Sequence, residues 1–428
     1  MQVQKFTIAL FTTALFLLGG ARPMSVRSQS PDLRTQTLRI LVVGDPFALA
    51  LRRLTATFEV ELGITINLEI TSYRDTQILT LANAKDIVSN YDIVSFDVVW
   101  LAEYVENGIL LPLGERAAQS STLMLDDFLR SALESSRWKG ELYGLPIQPH
   151  PELLWYRTDL FNKAKLDAPR TTDDVIQAAR ILHNPDAGLY GICWNAQQGD
   201  ALAQQMAHFF AAFGQPMFDE NQQPTVDTPR GLMAAQYALE LLAYSPPDIL
   251  NMSWDQRITR FAHGSCAMTY GWAARLSLVE AISPDLIPLI GFVAAPHAPD
   301  SPPVTPMGTW SLGLPSNIGE RAEIAWQFLE WISAPEQQRR LAEAGNAGLT
   351  RYSLADDPFL AMRYKHFSLI TALDTQEQLA SWMRPQLPQG NVIVDIVASG
   401  FTDMLRGELS AQGAISQVQQ ALEMLLQP

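Results

Sequence analysis

The chain is poor in the residues that most often advertise chemistry. It has 2 cysteines in 428 residues, so a disulfide framework cannot scaffold it. Its 6 histidines (His150, His183, His208, His263, His297 and His366) show no i,i+4 pairing, which argues against a local metal motif. Charged residues make up only 18%, and basic ones are the scarcer kind, 30 against 45 acidic. The resulting net charge of −15 excludes electrostatic capture of nucleic acid or anionic lipid. There is no Gly-x-Gly-x-x-Gly, no phosphate-binding loop and no His-Glu-x-x-His. The nucleophile elbow of hydrolases is also missing. Its nearest approach, Gly308-Thr-Trp-Ser311-Leu-Gly313, has one residue too many and puts Ser311 inside a strand. The acid pairs Asp126-Asp127, Asp173-Asp174 and Asp356-Asp357 read as helix caps and turns before they read as a glycosidase pair. The sequence therefore offers no catalytic residue, no metal ligand set and no cofactor motif.

What is present begins with Lys5 and an apolar run over residues 6–18, followed by Gly19-Gly20-Ala21. The run is too short to span a bilayer comfortably and matches a secretory signal over residues 1–21, cleaved there or later, before Asp32. An uncleaved anchor is the alternative. No cysteine follows the run, so no lipoprotein anchor is expected, and no other apolar run reaches 18 residues. Export is the expectation. In an oxidising compartment Cys193 and Cys266 could pair; the reading leans towards two separate buried thiols.

Hydrophobic content of 47% supports a packed interior, and length suggests two or three domains. Residues 37–43 form a nearly continuous apolar run ending in Gly44-Asp45-Pro46, a buried strand and a turn. Helical spacing through Leu51, Leu54 and Phe58 stops at Gly63. Ile64, Ile66, Leu68 and Ile70 then alternate as a strand, a helix is expected over 77–89, and 91–96 reads as a third strand. Strand and helix in alternation predict a doubly wound α/β architecture with more than one sheet. Later strands are expected at 153–156, 267–270 and 310–314. Helices are expected at 171–182, 201–213, 229–244 and 324–332, with two more in the tail from 392 to 426.

The chain is generous in one residue, with 10 tryptophans, several at expected strand ends: Trp100, Trp194, Trp254, Trp272 and Trp310. A Trp face packs on the apolar C–H face of a sugar ring, while Asp, Asn, Gln and Arg bond its hydroxyls. Any single Trp is more often core, so the pattern matters more than one residue.

That pattern resembles a known family. Asn90-Tyr-Asp-Ile-Val-Ser-Phe-Asp97-Val-Val-Trp100-Leu-Ala-Glu103 and Gly108-Ile-Leu-Leu-Pro-Leu113 resemble the first-lobe signature of the extracellular solute-binding proteins, family 1. These are the maltose-binding-like receptors of ABC importers. The similarity continues at Gly140-Glu-Leu-Tyr-Gly-Leu-Pro146, Leu154-Trp-Tyr-Arg-Thr-Asp-Leu-Phe161 and Gly264-Ser-Cys-Ala-Met-Thr-Tyr-Gly-Trp272. It ends with Gly308-Thr-Trp-Ser-Leu-Gly313, Ala325-Trp-Gln-Phe-Leu-Glu-Trp331 and Thr350-Arg-Tyr-Ser-Leu-Ala-Asp-Asp-Pro358. Thr309 stands where the family often has Gly, and Gly271 where Asn is frequent. The resemblance implies a two-lobed fold of the maltose-binding type, with interdigitated lobes closing about a hinge. By analogy the first lobe takes 37–151 plus 267–321, and the second 152–266 plus 322–428. It also implies a sugar or polyol ligand, a monomeric periplasmic receptor, and a membrane permease with its ATPase as partners. Asp97 is expected to bond ligand hydroxyls, with a helix cap as its alternative role. Trp272 and Trp310 are expected to stack on the ligand, with Gly271 and Gly308 giving it close backbone approach. Tyr156, Trp254 and Arg351 follow from neighbouring motif positions. A receptor for a polyamine, an acidic sugar or another metabolite, and a secreted glycan-active enzyme, are the alternatives.

Overall fold

The computed structural model describes residues 37–381 and 387–427. The expected signal segment lies outside the described residues.

Strand β1 (Thr37–Val43) leads through the turn at Gly44 and Asp45 into a helix, Pro46–Leu62. Proline suits the first helical turn, where its missing N–H is not needed. Phe47, Leu51 and Phe58 give the helix its buried face, and Gly63 ends it in the left-handed conformation at φ 67°. β2 (Thr65–Thr71) follows. The helix Tyr73–Asn83 starts earlier than the apolar spacing predicts, because the Ser72 side chain caps it by accepting from the Asp75 N–H. β3 (Ile93–Asp97) completes the parallel trio in the order β2-β1-β3.

A two-stranded ribbon, β4 (Arg137–Trp138) with β5 (Glu141–Leu142), precedes β6, a strand of 13 residues (Leu145–Arg157). β7 (Tyr190–Cys193), β8 (Cys266–Trp272), β9 (Ile290–Val293), β10 (Thr305–Gly313) and β11 (Leu379–Ala380) follow. One nine-stranded sheet runs β2-β1-β3-β10-β6-β8-β7, with β11 beside β10 and β9 beside β6. Where separate sheets are expected, the antiparallel pair β6 and β10 joins them. β6 bonds β10 through residues 145–151, then β8 and β9 through 152–157.

Helices cover this sheet and divide its apolar side chains into two large cores. The first gathers β1, β2, β3 and the start of β6 with Trp310, Leu312 and the helix Ala322–Ser333. The second gathers the end of β6, β7, β8, the helices Asp200–Ala212 and Pro229–Leu242, and the tail helices Gly390–Leu405 and Ala411–Leu426. Between 267 and 307 the buried apolar residues that join a large core, from Ala267 to Met307, join the second, and those between 310 and 341 join the first. The chain thus changes core along β10 (Thr305–Gly313).

The lean towards unpaired thiols is corrected: Cys193 and Cys266 form a disulfide, with Cα atoms 5.9 Å apart. It ties β7 to its parallel neighbour β8, and neither cysteine is exposed. Among the described residues no helix is long and apolar enough to cross a membrane.

Candidate functional site

Strand ends of both halves of the sheet face one cavity of about 230 Å³. Open α/β sheets bind ligands beyond the carboxyl ends of their strands, and β1, β2 and β3 contribute Val43, Thr71 and Asp97 there. Trp310 comes from β10, Gln148 and His150 from β6, and Trp272 from the end of β8. Tyr73, Trp254, Gln204 and Arg275 complete the opposing walls.

Asp45 is the polar centre. The carboxylate accepts from Gln148 Nε2 at 2.6 Å and Trp310 Nε1 at 3.2 Å, and pairs with Arg275. Burial alone would raise its pKa; Arg275, His150 and the Gln148 hydrogen bond outweigh burial and hold it below the ordinary carboxylate value. Gln148 turns its other end to the start of the first helix, accepting from the Phe47 N–H at 2.6 Å. A bulge in the β6–β10 ladder, between Trp310 and Ser311, sits at this point. Arg275 also holds Asp255 at 2.8 Å.

The aromatic walls are mutually supported. Tyr73 lies 5.8 Å from Trp310 and 5.7 Å from Trp254, which comes from the second half. Trp272 stands edge-to-face between His150 at 4.8 Å and His208 at 5.3 Å. His208 in turn bonds Glu152, which pairs with Arg257 at 2.7 Å in a fully buried network. Burial raises the Glu152 pKa, and Arg257 and His208 overcome that effect and bring it to about 2.

Of the residues expected at the site, Asp97, Trp254, Trp272 and Trp310 line the cavity. Asp97 makes no side-chain cap bond to the turn that follows; its Oδ2 accepts from the Tyr73 hydroxyl at 2.9 Å. Three expected residues lie elsewhere. Gly308 is paired with His150 inside the β6–β10 ladder. Tyr156 packs on Phe161 at 4.8 Å and over Gly291 at the far end of β6. Arg351 is fully buried away from the cavity, bonded to the carbonyls of Leu123, Met124 and Ser333 and to Asp127. Its guanidinium lies 3.7 Å over the Phe128 ring. Gly271 serves packing instead of ligand approach, because a Cβ there would come within 2.8 Å of the Trp155 ring.

Sequence reading missed Asp45, Gln148, Tyr73 and Arg275. The signal for Asp45 was its place directly after a strand in Gly44-Asp45-Pro46, a position that topology points at the cleft. Arg275 lies three residues beyond Trp272. Gln148 had no local signal, since its role depends on pairing with a strand far along the chain.

Ser311 lies within β10, its hydroxyl 2.7 Å from that of Ser136. The acid pairs take structural roles: Asp174 closes a capping box with Thr171, Asp357 caps the helix Pro358–Arg363, and Asp127 holds Arg351. Among the described residues no group of three or more His, Cys, Asp or Glu is arranged to hold a metal.

A mannitol-binding protein of Pseudomonas aeruginosa is 25% identical over 410 residues, covering 90% of this chain and 92% of the relative. The crystal structure of an ABC transporter solute-binding protein from Agrobacterium radiobacter, in complex with ribitol, superposes with a TM-score of 0.86. That protein is 26% identical, with 92% of this chain and 100% of the other covered. Maltose-bound MalE3 of T. maritima superposes at 0.81 with 21% identity, covering 91% and 100%, and shares the two-lobed fold. The family model for bacterial extracellular solute-binding proteins matches residues 45–339. With that match spanning most of its length and both halves of its sheet, the chain belongs to the bacterial extracellular solute-binding protein family.

Proposed function

We propose that this protein captures a small sugar or polyol between its two cores and delivers it to the permease of an ABC importer. The observation that carries the reading is the composition of the cavity wall. Asp97, Gln148 and Gln204 offer hydrogen-bonding groups to hydroxyls, and Trp254, Trp272 and Trp310 offer apolar faces to the C–H edges between them. The relatives that bind mannitol and ribitol support the same ligand class. A polyamine fits less well, because the Asp45 carboxylate already carries Arg275 as its counter-charge.

The two lobes of this reading follow the two cores, roughly 37–123 with 142–148 and 310–341, and 129–132 with 149–307 and 342–427. Asp97 and Trp310 belong to one, Trp254 and Trp272 to the other, so a ligand touching all four favours the closed form by its differential affinity. The receptor works as an exported monomer, alters no bond in its ligand, and depends on a membrane permease and its ATPase for transport. A thermal-shift series with pentitols, hexitols, monosaccharides, acidic sugars and polyamines tests the reading. A raised midpoint with a polyol or neutral sugar supports it. A response to polyamines alone overturns it, and release of new reducing ends from oligosaccharides would favour the glycan-active alternative.

A further inference from the structure

The ligand cavity has a neighbour. On the far side of Asp45 and Arg275 lies a second cavity of about 350 Å³, with Leu49, Arg53, Leu278 and Gly345 among its walls. Gly44, Asp45, Asp255 and Arg275 line both spaces. The partition is built from two sides. Asp45, held from behind by Gln148 and Trp310, comes from the first core, and Arg275, steadied by Asp255, follows the last strand residue of the second. Both side chains are largely buried, at 8% and 14% exposure.

We propose that the Asp45–Arg275 pair is a length gate: it ends the ligand cavity after one short polyol or one monosaccharide, and excludes longer saccharides. The inference rests on the sugar or polyol reading above. The inner cavity, at about 230 Å³, lies below the ~300–1,000 Å³ range of pockets that enclose drug-sized ligands. On another side Tyr73 bridges Trp254 and Trp310, so aromatic rings close the space there. A second sugar unit extending towards the outer cavity would have to part the ion pair. Neutral hydroxyls can bond to either partner but bring no counter-charge, and a buried charge stripped of its partner is heavily penalised. Specificity then comes from a barrier against the longer ligand as much as from contacts to the shorter one.

Isothermal calorimetry with ribitol, D-mannitol and maltose tests the gate on the wild type, on Arg275→Met and on Asp45→Asn, with thermal melts to establish folding. The wild type should bind one of the alditols at least ~100-fold more tightly than maltose, and a folded variant should narrow that ratio by ~10-fold or more through tighter maltose binding. Maltose binding to the wild type as tightly as an alditol overturns the gate, as does an unchanged ratio in both folded variants. If neither variant folds, a crystal structure of the wild type with its alditol decides. An intact pair beyond the end of the ligand upholds the gate, and a ligand running through a parted pair refutes it. Failure of all three probes to bind the wild type counts against the sugar reading itself, and the gate falls with it.

Discussion

Arg351 and Arg275 show how little a residue's type says about its task. Arg351 sits in a sequence motif associated with ligand binding, yet its donors are consumed by carbonyls and Asp127 beneath Phe128. Arg275 lies beyond every motif and stands in the cavity wall. Arg351→Met should therefore lower stability by about 3 kcal/mol, measured by denaturant unfolding, and leave ligand affinity unchanged. Asp97→Ala should act the other way, weakening calorimetric affinity by about 1.5–3 kcal/mol if a charge-assisted bond to the ligand is lost. Unchanged affinity with reduced stability would return Asp97 to a structural role. Glu152 gives a pH signature. Its folded pKa of about 2 lies below the ordinary glutamate value of 4.5, so its contribution is present above the higher value and is lost as pH falls towards the lower. Unfolding free energy should drop between about pH 5 and pH 2, and Glu152→Gln should flatten that part of the curve; an equally steep profile in the variant would reject the assignment. At this scale the sequence singled out Asp97 and three tryptophans that line the cavity. It hid Asp45, Gln148 and Arg275, whose meaning arises only when strands distant in sequence become neighbours.

The elements were more legible than the residues, with β6 as the instructive exception. Only its apolar end, residues 153–156, reads as strand, because Pro146, Pro149 and Pro151 argue against one. Along 145–151, however, β6 bonds β10 alone, so its other edge can spare the donors that proline lacks. On that stretch the segment around Asn346 and Gly348 packs closely: Asn346 donates to the Ile147 carbonyl at 3.0 Å, and a Cβ on Gly348 would come within 2.8 Å of the Pro149 carbonyl. Helices announced themselves through apolar spacing, and the structure caps them, as at Thr171 and Ser410, where the side chains accept from the Asp174 and Gly413 N–H groups. The disulfide did not announce itself, since two cysteines separated by 73 residues carry no spacing signal. Replacing both, Cys193→Ser with Cys266→Ser, should cost about 2–4 kcal/mol. A reductant should lower the wild-type melting temperature and leave the double variant unmoved; two free thiols titrated in the unreduced denatured protein would contradict the bridge.

At the scale of the whole molecule, a receptor with walls on two cores should change shape on binding. Small-angle scattering should give a smaller radius of gyration with saturating alditol than without, and an identical curve under tight binding would speak for a rigid pocket. The threading of the cores carries a further consequence, for the order in which the chain can be made. The first core contains Trp310, Leu312 and the helix Ala322–Ser333, which lie far beyond the second core's first strands in sequence. A polypeptide emerging amino end first cannot complete its leading half until residue 310 and the helix after it have been synthesised. The hydrophobic surfaces of β1, β2 and β3 must wait meanwhile. Contacts of such long sequence separation form slowly, because the closing loop must first be ordered. The interleaving that lets one sheet serve two cores thus also delays folding, keeping the newborn chain threadable for longer than a protein built from two consecutive domains.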